Sequence, residues 1–189
     1  MRRIGAGIAI GLTLGALPAL AGPHLSEMHG HLGVGYVTLS GGVADAPGGS
    51  LSVGAGLDYP IARALRLGAE VGYALLGTRT VDRGSLIGEL DYSVFETVVF
   101  LHWLPPSGPV ECISVGPGVF NARADLSSSG PAAFGDLAIE QTTGGIGFQI
   151  TLMKRKPSPV RVGLELGARR IFLEKDDWTL LDGRLSIHY

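Results

Sequence analysis

The sequence predicts an all-β fold, an eight-stranded antiparallel up-and-down transmembrane β-barrel, and three observations predict it. The last nine residues, Leu181 to Tyr189, alternate apolar with polar or small side chains and stop on an aromatic, the pattern of a half-buried strand. Apolar residues make up 46% of the sequence and mean hydropathy is +0.31, yet beyond Ala21 no stretch approaches the roughly 20 apolar residues of a spanning helix. The apolar content is dispersed by alternation instead. Thirty glycines and eleven prolines, both poor in helix interiors, complete the case.

The N-terminus places this barrel beyond the cytoplasm. Met1-Arg2-Arg3 is cationic, Ile4 to Leu17 is uncharged and largely apolar, and Ala19-Leu20-Ala21 supplies small residues for cleavage. Residues 1–21 read as a cleaved signal peptide and residues 22–189 as one barrel domain; a retained N-terminal anchor is the alternative. No cysteine follows the cleavage site to carry a lipid anchor. Without Arg2 and Arg3 the chain keeps 13 basic residues against 17 acidic ones, with no clustered basic face, which excludes a nucleic-acid binder. Cys112, the sole cysteine, makes no internal disulfide. Strand closure must supply the stability.

The period-2 template finds eight strands. In the first, about His31 to Leu39, Leu32, Val34 and Tyr36 oppose Gly33 and Gly35. The second, Leu51 to Tyr59, and the third, Ala64 to Leu75, set aliphatic and aromatic residues against glycine and charge, with Asp58, Arg66 and Glu70 on the inward side. The fourth, Glu89 to Leu104, is apolar on both parities beyond Val94, so a bulge is expected. The preferred register sends Phe95, Thr97, Val99, Leu101 and Trp103 outward and Glu96 and His102 inward. In the fifth, Glu111 to Asn121, Pro117 cannot donate to the ladder and requires a bulge or local break. The sixth, Gln141 to Met153, points Ile146, Phe148 and Ile150 outward. The seventh, Val160 to Phe172, turns Arg161, Glu165 and Arg169 inward, and the eighth, Trp178 to Tyr189, turns Asp182, Arg184, Ser186 and His188 inward.

The connections sort into two kinds. Residues 60–63, 105–110 and 154–159 are short and contain proline. Ser40 to Ser50, Leu76 to Gly88 and Ala122 to Glu140 are longer and rich in Gly, Ser, Ala and Asp, and residues 173–177 complete that rim. Short turns on one rim and longer loops on the other match a periplasmic and an external side, with both termini in the periplasm. Tyr36, Tyr59, Tyr73, Trp103, Phe172 and Tyr189 fall where interfacial aromatic belts belong.

Three segments carry a resemblance: Gly54-Ala55-Gly56-Leu57-Asp58-Tyr59-Pro60 leading into Leu65 to Tyr73, Ser114-Val115-Gly116-Pro117-Gly118, and the Leu185, Ile187, Tyr189 ending. On these the chain, over residues 29 to 189, resembles the small eight-stranded outer-membrane barrels of the outer membrane protein A and X type. The resemblance implies a monomer in the outer membrane, in contact with membrane lipid and lipopolysaccharide. It also implies that Leu185, Ile187 and Tyr189 form the signal read by the barrel-insertion machinery, where a final Phe is commoner than Tyr. Members differ widely in function, so fold and location are all that it implies.

The inward set Asp58, Arg66, Glu70, Arg161, Glu165, Arg169, Asp182 and Arg184 mixes signs in the narrow space eight strands enclose. Unpaired buried charge is costly, so an ion network that plugs the lumen is expected, giving a structural, envelope-integrity or surface-contact protein. The alternative is a narrow porin-like channel gated by Arg66, Glu70, Glu165 and Arg169. Barrel lipid A deacylases pair a His with a Ser two residues later on a strand and add an acidic partner; reading forward from each His, only His24 has a Ser at that spacing, Ser26, and it lies before the barrel. The expectation is no enzyme, no catalytic residues and no cofactor. His24, His29 and His31 lack a fourth metal ligand, so no metal site is expected either. Cys112 reads as a packing residue near the periplasmic rim. A soluble lipocalin-like barrel would need polar residues where this chain has Leu51, Val53, Leu65, Leu67, Val162 and Leu164.

Overall fold

The computed structural model describes residues 28–40, 49–83, 86–129, 137–153, 159–174 and 177–189. The expected signal peptide of residues 1–21, His24, Ser26 and parts of several connections lie outside them. The described elements are eight strands: β1 (His29–Ser40), β2 (Ser50–Ala62), β3 (Leu65–Arg83), β4 (Leu86–Trp103), β5 (Val110–Ser129), β6 (Leu137–Met153), β7 (Arg161–Ile171) and β8 (Trp178–His188). Each pairs antiparallel with its neighbours in chain order, and β8 returns to β1 to close the barrel. The closing seam runs to Tyr189, whose N–H donates to Gly30 O at 3.0 Å while Gly30 N–H donates to Tyr189 O at 2.9 Å.

Alternation explains the faces. Leu51, Leu67, Val162 and Leu185 are 49%, 48%, 64% and 62% exposed on the outside, an apolar coat that water does not tolerate over so wide an area. Tyr59, Trp103 and Tyr189 mark the outer wall near the short-turn rim, and Tyr36, Tyr73 and Phe172 mark it toward the other rim. The strand between these belts is roughly 20 Å tall once tilted, close to the thickness of a barrel's apolar band.

The fourth strand keeps the expected register: Phe95, Val99, Leu101 and Trp103 are exposed, and Glu96 and His102 are buried. Its expected bulge falls elsewhere, on β3, where Leu75 pairs with Ser93 and Gly77 with Tyr92. Leu76 is the extra residue there and Gly77 sits at φ 90°, a conformation that glycine adopts without cost.

Pro117 keeps its place opposite Ile146 on β6, but on the β4 side the ladder skips from Val98–Gly118 to Leu101–Val115 without changing register. The break follows from the missing N–H. The two strands also approach closely there, since a Cβ on Gly116 would lie 1.8 Å from Val99 O.

Two expected loops are corrected. Leu76 to Gly88 is mostly strand, β3 and β4 being paired as far as Arg83 and Leu86, and Ala122 to Glu140 is mostly the paired ends of β5 and β6. Where a hairpin extends past the apolar coat both of its faces meet water, so alternation fades while backbone pairing continues. The turn expected at Pro60 to Arg63 is also shorter, because β2 continues to Ala62 past a register shift between Pro60 and Ala62.

Candidate functional site: the interior of the barrel

Two layers fill the barrel. Toward the rim of the extended hairpins lies an apolar cluster in which Leu76, Val94, Val98, Phe100, Phe120 and Ile171 are at most 1% exposed. Tyr92 and Trp178 meet edge to face within it at 5.9 Å. The expectation of a polar interior missed this layer. Its one sequence signal is the double-parity apolar run of β4, which supplies Val94, Val98 and Phe100 inward.

Below it is the charged layer, centred on Glu70. Arg184 donates from Nη1 to Glu70 Oε1 at 2.7 Å and from Nε to Asp182 Oδ2 at 2.7 Å. Arg169 donates from Nη2 to Glu70 Oε1 at 3.4 Å and to Gln149 Oε1 at 3.2 Å, and from Nη1 to Phe148 O at 3.1 Å. Its Nε lies 3.4 Å from Glu96 Oε2, and its guanidinium stands 5.3 Å from the Phe100 ring centre, tying the two layers together. Glycine makes the room: a Cβ on Gly54 would lie 2.0 Å from Arg184 Nη1.

The structure brings four of the eight predicted residues, Glu70, Arg169, Asp182 and Arg184, into one network. Asp58 and Arg66 form a separate pair at 3.1 Å. Arg161 pairs with Glu111 at 3.1 Å, a partner the sequence did not single out. Glu165 is 1% exposed and stands 3.3 Å from His188 Nε2, but neither of its oxygens accepts a hydrogen bond from the described residues. His31, whose Nε2 is 3.4 Å from Glu70 Oε2, and Glu96 and Gln149 are the further members.

At the short-turn end the interior opens into a small cavity of about 40 Å³, room for a few water molecules. Cys112, expected as a packing residue near this rim, faces it, with Sγ 3.0 Å from Ser114 Oγ and 3.5 Å from His102 Nδ1. His102 Nδ1 and Ser114 Oγ are 2.7 Å apart.

No protein-family model and no curated protein matches the sequence. Solved structures do match. The crystal structure of Ail, the attachment invasion locus protein of Yersinia pestis, superposes with a TM-score of 0.54 at 11% identity, over 86% of this chain and 99% of that one. The fold is that of the small eight-stranded outer-membrane β-barrels. A major outer membrane protein from Thermus thermophilus matches this barrel equally, with a TM-score of 0.54 at 12% identity over 86% and 99% of the two chains. Ail in complex with the heparin analogue sucrose octasulfate gives 0.53 at 7% identity over the same shares. At such identities the likeness to other barrels is one of fold alone.

Proposed function

We propose that this protein is an integral outer-membrane barrel whose lumen is closed by its own side chains and which serves as a structural, envelope-integrity or surface-contact protein. The observation that carries this reading is the double filling of the interior, an apolar layer over a charged one, with a cavity of only about 40 Å³ below. An ion would have to displace Phe100 and Phe120 and then break the Glu70–Arg184 contact. The contact surface is the pair of extended hairpins, β3–β4 and β5–β6, whose outer walls carry polar groups. Thr78 donates to Asp91 there, and Asn121 to Glu140 and Thr142.

In this reading the signal peptide of residues 1–21 directs export, the short turns face the periplasm, and outer-membrane lipid and lipopolysaccharide cover the apolar coat. The outward Leu185, Ile187 and Tyr189 are the surface offered to the barrel-insertion machinery. Membrane fractionation combined with heat-modifiable mobility on gel electrophoresis tests the location, and planar-bilayer recording tests the lumen. Outer-membrane recovery without unitary current is the expected result. Discrete current steps from purified protein would replace this reading with the narrow channel.

A further inference from the structure

The charged layer does not balance. Glu70, Glu96, Glu165 and Asp182 have side chains 2%, 11%, 1% and 6% exposed, and the buried guanidiniums facing them are those of Arg169 and Arg184. Four carboxylates against two cations leave a formal excess of two negative charges in a space that solvates charge poorly. Asp58 and Glu111 do not add to it, since Arg66 and Arg161 pair with them. What remains to offset the excess is a pair of imidazoles, His31 and His188, and whatever enters the cavity.

That cavity gathers the groups that bind transition metals. Four of the chain's five histidines line it, together with its sole cysteine and Glu165. His31 of β1 and His188 of β8 are direct cross-strand partners, with rings stacked at 5.4 Å and 26°. Glu165 Oε1 lies 3.3 Å from His188 Nε2 without a hydrogen bond between them, and the same nitrogen is 2.8 Å from Ser186 Oγ, a contact that an ion would replace. Two ligands each about 2.1 Å from a tetrahedral ion are separated by roughly 3.4 Å, so this spacing suits a shared metal as well as a shared proton. Among the described residues no three donors yet surround one point, so the third ligand must turn in as the ion enters. That ligand is His31, stacked on His188, which would exchange its 3.4 Å contact with Glu70 for the ion.

We infer that the short-turn cavity is a binding site for one divalent transition-metal ion, held by Glu165, His188 and His31. Imidazole nitrogen favours zinc, copper or nickel over magnesium, and the two charges of the ion cancel the excess of the layer. The site is assembled from β1, β7 and β8 across the closing seam. It differs from the cluster of His24, His29 and His31 weighed from the sequence, and it holds whether or not the barrel has the role proposed above.

The experiment is calorimetric titration of the folded, detergent-solubilised protein, carrying no histidine tag, with Zn²⁺ alone and with Mg²⁺ alone. One Zn²⁺ per chain and no Mg²⁺ heat is expected. Glu165→Gln and His188→Asn should each weaken Zn²⁺ binding at least roughly tenfold, since loss even of an outer partner costs that much. His24→Asn should leave it unchanged. Absence of Zn²⁺ binding, binding that survives both interior changes, or binding lost with His24→Asn would each overturn the site. Should the interior variants fail to give a heat-modifiable band, the imidazole ¹⁵N resonances of His31 and His188 in the unaltered protein decide it: they shift with one equivalent of Zn²⁺, or the inference is wrong.

Discussion

Arg184 and Glu70, 114 residues apart in sequence, share an ion contact of 2.7 Å between Nη1 and Oε1 at the centre of the network, with both side chains 2% exposed. Because neither can reach water, the two depend on each other. Arg184→Met should therefore destabilise the barrel by about 3–5 kcal/mol, the range for a buried charge that loses its partner. Adding Glu70→Leu to that variant should restore part of the loss. Urea unfolding followed by gel mobility measures both, and an unchanged midpoint for Arg184→Met would refute the dependence.

Gly116 is fixed by backbone, not by side chains. A methyl group there would sit 1.8 Å from Val99 O, so β4 or β5 must move where the ladder is already broken by Pro117. Gly116→Ala should lower stability by roughly 1–3 kcal/mol, the usual cost of forcing atoms into a packed site. Gly144→Ala, where an added Cβ meets nothing within 4 Å, is the matched control. Equal unfolding midpoints for the two variants would count against the close approach.

The two tryptophans report opposite sides of the wall. Trp103 is 47% exposed on the outer surface and Trp178 is 9% exposed against Tyr92 inside. In vesicles of brominated phospholipid, Trp178→Phe should leave fluorescence that the lipid quenches strongly, and Trp103→Phe should leave fluorescence that it hardly touches. Equal quenching would mean that the inward placement of β8 is wrong.

Closure by two layers makes a distinctive expectation for conductance. Arg184→Ala removes the guanidinium that contacts Glu70 and Asp182, yet the apolar layer above remains. Phe120→Ala opens the apolar layer at a stability cost of roughly 3–5 kcal/mol, yet the Glu70–Arg184 contact remains. Neither single change should produce unitary current in planar bilayers, whereas the two together should. Steps from either one alone would show that one layer suffices.

The barrel was legible because alternation is strongest where lipid lies on one side and glycine or charge on the other. Leu51 to Tyr59 and Val162 to Leu166 follow that rule, and the faces read from them hold. Legibility failed wherever the contrast between faces disappears. Thr78, Arg123 and Glu140 belong to strands wet on both sides, so they read as loop. Phe100 and Phe120 point inward among apolar neighbours, so the polar-interior rule overlooked them. Within the charged layer the sequence supplied the right residue types without their partners. Pairing depends on height along the barrel, which set Asp58 with Arg66 and Arg161 with Glu111, and left Glu165 to His188.

The strands are of two lengths, and the long ones are contiguous. β3 to β6 have 19, 18, 20 and 17 residues, while β7, β8, β1 and β2 have 11, 11, 12 and 13. At about 3.3 Å per residue and a tilt near 40°, one flank rises on the order of 15–20 Å above the other. The molecule is thus a cylinder cut on the slant. Among the described strands, the hydrogen-bonded wall of β3 to β6 therefore outreaches that of β7, β8, β1 and β2, and the polar edges that pairing leaves above the low flank are all carried by one side of the cylinder.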